Sequence, residues 1–105
     1  MLRIHDVMLD AISVMRPMVS AIERRDRDLA SQLRRAASSV VLNLAEGSGS
    51  FGAVRTQRYR TALGSAKEAC SCLLVAERFG YVEAVPSELA AMMNRVVGTL
   101  VRVAV

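Results

Sequence analysis

The segment QLRRAASSVVLNLAEG, residues Gln32–Gly47, decides the fold because it is a helix that carries two distinct stripes. At about 100° per residue, its polar side chains fall within roughly 80° of one another. These polar residues are Gln32, Arg35, Ser39, Asn43 and Glu46. The neighbouring arc is apolar and contains Leu29, Leu33, Ala36, Ala37, Val40 and Leu44. A polar row beside an apolar face is typical of hydrogen bonds made inside a fold or across a subunit contact, so we expect the row to be structural.

Composition indicates a single all-α domain over residues 1–105. The chain is 52% hydrophobic and only 4% aromatic, with no tryptophan, and this mixture favours helices over strands. A core of this size gains stability from oligomerisation. The net charge is +4, and Lys67 is the single lysine among 14 basic residues. Because arginine binds phosphate at two points, this bias indicates nucleic-acid binding; the arginine codons of a GC-rich genome are the alternative explanation.

Four amphipathic segments predict four helices. They run over about Ile4–Ile22, Arg27–Glu46, Val54–Phe79 and from Pro86 onward, and Pro17 predicts a kink or a break in the first. Their order and short connectors fit an antiparallel up-down-up-down four-helix bundle. The apolar arc and the polar row cover most of the second helix, which is more than one small chain can bury. We therefore expect copies of the bundle to assemble with closed cyclic symmetry.

Two groups of basic residues are candidate phosphate contacts. On the third helix, Arg60, Lys67 and Arg78 fall near one angle and form a stripe about 27 Å long at 1.5 Å per residue, which could follow a phosphate backbone or be a solvated face. The connector 23–28, ERRDRD, is a basic contact or a solvated turn. The full candidate set is Arg24, Arg25, Arg27, Arg34, Arg60, Lys67 and Arg78. The objection is a lack of exposed aromatic side chains for stacking on bases, since Tyr59 lies on the apolar face.

The local signals at the helix ends are acidic residues and glycines. Asp26 or Asp28 can cap the second helix, and the third helix is expected to end at Gly80. The segment GSGSFG, residues 47–52, is expected to end the second helix in a left-handed conformation. It lacks the GK[ST] ending of a Walker loop and follows a helix rather than a strand, so a flexible connector is favoured over a phosphate-binding loop.

No motif indicates catalysis, a metal site or a membrane span. His5 is the only histidine and lies far from Cys70 and Cys72, which are two apart on a helix and so cannot bridge. We interpret both cysteines as small core or interface residues in a reducing compartment. There is no Ser-His-Asp set and no paired Glu-x-x-His motif, so we expect neither enzyme activity nor a metal or other cofactor.

The first residues do not fit a secretory leader. Asp6 and Asp10 interrupt the segment in which a signal peptide would need an unbroken apolar run. No segment reaches about 18 uncharged apolar residues, the length that a membrane helix requires. We therefore expect a cytoplasmic protein with no membrane contact.

The chain resembles the 23S rRNA intervening-sequence proteins from about Asp28 to Tyr81. Their pattern is Q-x-x-R-A-x-x-S-[IV]-x-x-N-[IL]-A-E-G followed by A-x-G-S-x-x-E. The residues that carry it are Gln32, Arg35, Ala36, Ser39, Val40, Asn43, Leu44, Ala45, Glu46 and Gly47, then Ala62, Gly64, Ser65 and Glu68. The chain departs from the pattern before the second helix, where arginines replace the usual glutamate or proline, and at Ser50, where a basic residue is common.

The resemblance implies an antiparallel four-helix bundle in a ring, commonly a pentamer. The family is similar in fold to the accessory protein of diversity-generating retroelements, a basic barrel that binds nucleic acid and a reverse transcriptase. We therefore expect a homo-oligomer that binds RNA or DNA, or alternatively a scaffold for a partner protein such as a reverse transcriptase. Within the motif, Gly64 would admit a neighbouring helix, and Ser65 and Glu68 would meet the polar row. A buried Glu46 or Glu68 would need a partner, for which Arg35 is the candidate.

Overall fold

Four α-helices make up the computed structural model, which describes residues 2–105 and leaves Met1 outside the described residues. The helices are α1 (Ile4–Arg25), α2 (Arg27–Ser48), α3 (Gly52–Arg78) and α4 (Ser87–Val103). Residues 2–105 contain no β-strand, and the prediction of an all-α fold with four helices is confirmed. Both α1 and α3 pack against α2 and α4. The resulting body measures 42 × 24 × 19 Å, and its long axis matches the roughly 40 Å length of α3 at 1.5 Å per residue.

The core is built from aliphatic and methionine side chains on one stripe of each helix. Its largest fully buried members are Met8, Met15, Ile22, Leu33, Val40, Leu44, Leu89, Val96 and Leu100. Small residues dominate on α3, where Ala62, Ala66 and Ala69 are fully buried and let the neighbouring helix approach closely. No helix among residues 2–105 combines the length and apolar character that a membrane crossing requires.

The junction between α1 and α2 is a single residue, Asp26. Its carboxylate accepts a hydrogen bond of 2.9 Å from the backbone N–H of Leu29, and an aspartate at this position stabilises a helix start by about 1 kcal/mol. The sequence predicted a longer connector over residues 23–28. The structure extends α1 through Arg25 instead, because the Asp26 cap allows α2 to begin at once.

Helix α1 runs through Pro17 without a break. Of the predicted kink or break, the break is wrong, because of where the proline lies. Pro17 is exposed, and so is Ser13, whose carbonyl loses its usual N–H donor four residues later. That carbonyl faces the solvent side of the helix, where water can replace the missing donor.

The junction between α2 and α3 is shorter and more ordered than the sequence suggested. Only residues 49–51 lie between the two helices, and Arg55 donates through Nε to the carbonyls of Ser50 at 2.9 Å and Gly47 at 3.3 Å. The expectation of a left-handed residue ending α2 is wrong, since the cap Gly49 has φ −93°. The left-handed residue is Gly52 with φ +57°, which starts α3.

Helix α3 ends as the sequence predicted, at Gly80 with φ +76°. The N–H of Gly80 bonds to the carbonyl of Glu77, and that of Tyr81 to the carbonyl of Ala76, which together form a Schellman motif. The carboxylate of Glu77 also accepts the backbone N–H of Val85 at 2.8 Å. This bond fastens the α3–α4 connector to α3, and α4 begins one residue after Pro86.

Candidate nucleic-acid interface

The centre of the polar row forms a hydrogen-bonded lock between α2 and α3. The hydroxyls of Ser39 and Ser65 lie 2.7 Å apart. The amide of Asn43 donates to the carbonyl of Ser39 at 2.9 Å and to its hydroxyl at 3.1 Å. All three side chains are half-buried. Only the Ser39–Ser65 bond crosses from α2 to α3, and it favours one register of the two helices. The two bonds of Asn43 lie within α2 and orient the Ser39 hydroxyl.

The ends of the polar row lie on the surface and make different contacts from those expected. Glu46 pairs with Arg58 at 2.9 Å, whereas Arg35 forms no ion pair within residues 2–105. Glu46 and Glu68 are both exposed, so the expectation of a buried carboxylate paired with Arg35 is wrong for the single chain. Gln32 is exposed as well. Water solvates these groups, and none of them needs an internal partner.

Within the single chain, Gly64 and Gly47 do not have the roles that the sequence suggested. Gly64 is exposed, and a Cβ added there would meet no atom within 4 Å, so it admits no helix within the chain. Gly47 is buried inside α2, where an added Cβ would lie 2.8 Å from Cδ1 of Tyr59 and closer still to Cε1. The sequence signal for this contact is the glycine itself, but a glycine near the end of a helical pattern equally predicts a helix end.

The outer surface of α2 borders a polar groove of about 400 Å³. Its lining residues are Arg34, Arg35, Ser38, Ser39, Leu42, Asn43, Glu46 and Arg58. Leu42 projects outward and is 60% exposed. The motif residues therefore share an open surface with one large apolar side chain.

A basic surface, the serine–arginine face, lies between α1 and α2. A hollow of about 340 Å³ there is lined by Arg16, Ser20, Arg34 and Ser38, with Ile12, Met15, Val19 and Ala37 beneath. Arg34 pairs with Glu23 at 2.9 Å, and both side chains are about half exposed. Arg16 is exposed and forms no ion pair within residues 2–105. Sequence reasoning missed Arg16 because it considered only the buried stripe of α1.

The three arginines near the α1–α2 junction are all exposed. Arg25 lies over the ring of Tyr81 at 5.6 Å, and Tyr81 donates to Asp26 at 3.4 Å. Arg24 and Arg27 form no ion pair within residues 2–105. Two cations at this end therefore remain without a carboxylate partner, and Arg25 is held against an aromatic ring.

The basic row on α3 is exposed but is not purely polar. Arg60 donates through Nε to the carbonyl of Ala104 at 3.2 Å, and Lys67 and Arg78 are exposed. Between the latter two, Leu74 is 55% exposed. The row thus crosses an apolar surface, which a phosphate backbone does not favour.

Exposed aromatic rings are present, contrary to the sequence analysis. Tyr59 is buried as expected, but Phe51 and Phe79 are 82% and 68% exposed. Arg55 lies over the ring of Phe51 at 5.5 Å, and Phe79 stacks on Tyr81 with ring centroids 5.5 Å apart. The objection that no ring is available for stacking on a base is therefore removed.

The two cysteines are free thiols on different faces of α3, with Cys70 half-buried and Cys72 buried. Burial raises the pKa of both thiols, and the charge of Glu68 raises the pKa of Cys72 further. Both thiols are consequently protonated and slow to react at neutral pH. Residues 2–105 contain no group of three or more His, Cys, Asp or Glu placed to hold a metal ion.

Comparison with known proteins gives one match. The family model of the 23S rRNA-intervening sequence protein matches residues 7–101, which is most of the chain. The chain belongs to the 23S rRNA-intervening sequence protein family. No match was found among curated proteins or among solved structures. The family match includes α2 and α3 with the Ser39–Ser65 contact, and it reaches into α1 and α4 beyond the motifs that carried the resemblance.

Proposed function

We propose that this member of the 23S rRNA-intervening sequence protein family is a non-catalytic bundle that assembles with copies of itself and binds nucleic acid by phosphate contacts. The observation that carries the proposal is the serine–arginine face. There, Arg16 and Arg34 share one hollow with the hydroxyls of Ser20 and Ser38. Forked guanidinium groups beside hydroxyl donors match the oxygens of a phosphate group.

The ion pair on this face does not oppose the proposal. Arg34 and Glu23 are each about half exposed, and such a pair contributes only about 0 to 1 kcal/mol. A phosphate that offers two oxygens to Arg34 can therefore displace the carboxylate. Arg24 and Arg27 extend the basic surface toward the α1–α2 junction, and Arg25 adds a cation beside the ring of Tyr81.

We propose an antiparallel up-down-up-down arrangement of the four helices. It is supported by contacts at the two ends of the molecule. Arg60, near the start of α3, bonds to Ala104 just after α4. At the other end, Tyr81, just after α3, bonds to Asp26 between α1 and α2. Each end thus joins the beginning of one helix to the end of another.

The proposed ring uses the polar groove of α2 and the surface of α3 beside it. Gln32, Arg35, Glu46, Gly64 and Glu68 of the polar network are exposed in the single chain. Leu42 provides apolar area at the centre of the same surface. Arg34 and Ser38 line both the polar groove and the serine–arginine face. A subunit contact centred on Leu42 and Glu46 would leave Arg16 and Ser20 of that face open to nucleic acid. The family resemblance favours a pentamer, and we propose a cytoplasmic location.

The test is nucleic-acid binding by a double variant and a charge-matched control. Fluorescence anisotropy with labelled single and double strands of RNA and DNA is measured across a salt series. Arg16→Ala with Arg34→Ala should weaken binding about tenfold and reduce the logarithmic salt slope by about 2, because each arginine neutralises one phosphate. The control, Arg95→Ala with Arg102→Ala on α4, removes the same charge and should have little effect. Equal losses in the two variants, or no binding by the wild type, would contradict the proposal.

A second candidate function is a scaffold that organises a partner protein without specific nucleic-acid binding. One observation favours it: the basic row of α3 borders exposed apolar side chains. Such a surface suits a protein partner better than a phosphate backbone. The two functions can be separated because they use opposite sides of the bundle.

A further inference from the structure

The groove between α3 and α4 is apolar and open. Its hollow has a volume of about 180 Å³. The lining residues are Cys70, Leu73, Leu74, Val85, Ala90, Met93 and Asn94. Asn94 is exposed at the edge and supplies an amide, while Leu73 and Met93 form the buried floor. This α3–α4 groove is therefore an apolar pocket with one polar group at its mouth.

The apolar surface continues over the edge of the groove. Leu74 also lines a second hollow of about 400 Å³, together with Val75, Arg78 and Phe79. Leu74, Val75 and Phe79 are all exposed. Exposed apolar side chains that adjoin a pocket indicate an interaction site more strongly than isolated ones. Leu74 forms a ridge between two hollows, and a partner could contact both sides of it.

The smaller hollow has the size of one apolar anchor. A cavity of about 150 Å³ binds benzene, so a leucine or phenylalanine side chain fits the α3–α4 groove. Interfaces often obtain much of their affinity from one such buried anchor. Helices that bind in grooves supply these anchors from one apolar face. The pocket is thus suited to a single side chain with further apolar contacts beside it.

Charge decides which kind of helix fits. Lys67 and Arg78 are separated by 11 positions, or roughly 16 Å along α3 at 1.5 Å per residue, and they bracket Leu74. Neither forms an ion pair within the described chain. The nearby carboxylate of Glu77 is occupied by the N–H of Val85. A partner must therefore bring its own acidic groups to this rim, which favours complementary negative charge.

We propose that the α3–α4 groove binds an amphipathic helix of a partner protein, with an apolar anchor and acidic residues along one edge. The inference rests on the scaffold function and names the chemistry of its partner. Nucleic acid is disfavoured on this surface because Leu74 lies between the two cations and would be pressed against phosphates. The anchor enters beside Cys70, and the acidic residues meet Lys67 and Arg78.

The test uses a designed peptide on the full-length protein. The peptide is an amphipathic helix with leucines on one face and glutamates along its edge, and a second peptide replaces the glutamates with lysines. Binding of the glutamate peptide is expected to fall at least about tenfold with Leu74→Asp, and similarly with Lys67→Glu combined with Arg78→Glu. The lysine peptide should bind more weakly to the wild type. Occupancy should also slow the alkylation of Cys70, which is half-buried, whereas Cys72 is buried and should stay unlabelled.

A matched variant distinguishes binding at this surface from nonspecific binding of the peptide to exposed apolar residues. Val54→Asp alters an apolar residue that is 57% exposed, close to the 55% of Leu74, and lies outside the α3–α4 groove. Circular dichroism confirms that each variant is folded. Peptide binding should survive Val54→Asp. No binding at about 1 mM peptide, the weak end of measurable affinity, would overturn the proposal, as would equal losses with Val54→Asp and Leu74→Asp.

Other molecules that could occupy the α3–α4 groove would give different experimental results. If Leu74→Asp lowers the mass of the free protein in solution, a second copy of the chain fills the groove and the proposal is wrong. If oligonucleotides displace the peptide only while Lys67 and Arg78 are intact, nucleic acid uses this rim and the proposal is wrong. A scaffold that uses another face would bind the peptide equally well with Leu74→Asp, so the groove can fail without the scaffold function failing.

Discussion

The two sides of α3 differ in how completely the neighbouring helices cover them. Toward α2, the helix presents the hydroxyl of Ser65, which lies 2.7 Å from that of Ser39, and the buried ring of Tyr59, which packs on Gly47. Toward α4, it presents Cys70 and Leu74 to a groove that remains open. The first side is filled and locked by hydrogen bonds. The second is apolar and incompletely covered.

This difference indicates where stability and recognition reside in the bundle. Close packing with directional hydrogen bonds favours one register and leaves little room for a partner. An open apolar groove contributes less to stability, since part of its surface still faces water, and it is free to bind another molecule.

The sharpest contrast is between the adjacent residues Leu73 and Leu74. Leu73 is buried at the floor of the groove and Leu74 is more than half exposed at its edge. Leu73→Ala should lower the free energy of unfolding by about 2 to 5 kcal/mol, because it leaves a cavity. Leu74→Ala should cost less than about 1 kcal/mol, as expected for an exposed side chain. Urea denaturation measures both. Similar losses would show that Leu74 is buried in solution.

The close approach of α2 and α3 is tested by adding one methyl group. Gly47→Ala should destabilise by about 1 to 3 kcal/mol, because the new Cβ would overlap the buried ring of Tyr59. This loss would occur even though alanine favours helix more than glycine does. Gly49→Ala is the control, since its Cβ would meet only the carbonyl oxygen of Glu46 at 3.8 Å. A Gly47→Ala protein as stable as the control would contradict the described contact.

The hydrogen-bonded lock should be measurable as a coupling. Ser39→Ala and Ser65→Ala each remove one hydroxyl of a half-buried pair and should each cost about 1 kcal/mol. The double variant should lose less than the sum, because the second substitution removes a partner that is already unsatisfied. A double-mutant cycle by thermal or urea unfolding gives the coupling energy. Strict additivity would mean that the two hydroxyls do not interact.

The smallest effect is expected at the surface ion pair beside this lock. Glu46 and Arg58 are both about half exposed, so Arg58→Ala should change the free energy of unfolding by about 0 to 1 kcal/mol. The effect should shrink in high salt, which screens exposed charges. Glu46→Gln tests the same ion pair by removing the charge of the other partner. A large and salt-independent loss would place the pair in a buried contact, such as the proposed subunit interface.

The fold was predictable because its signals are local and periodic. The apolar spacing predicted all four helices, and Gly80 marked the end of α3 because a Schellman motif needs a left-handed residue there. The α1–α2 junction was harder to predict. Charged residues such as those in ERRDRD fit either a turn or a helix end, and only the Asp26 side chain bonded to Leu29 decides between them.

The candidate site was less predictable because it depends on contacts between helices. Helical spacing placed Ser39 and Asn43 on one stripe, but it could not show that Arg58 rather than Arg35 would reach Glu46. It also could not show that Phe51 and Phe79 would be exposed, since both lie at helix ends where periodicity carries little information. Arg16 was not predicted for a similar reason: its proposed role depends on the hollow that α1 forms with α2.

The most direct test of the account is the mass in solution by light scattering, with and without a mixed pool of RNA and DNA at low and moderate salt. We predict a multiple of the 11.4 kDa chain, about fivefold if the family's pentamer applies. The mass should rise with nucleic acid at low salt and return toward that of the free assembly as salt is raised. A monomer whose mass does not change with any nucleic acid would contradict both the assembly and the phosphate-binding surface.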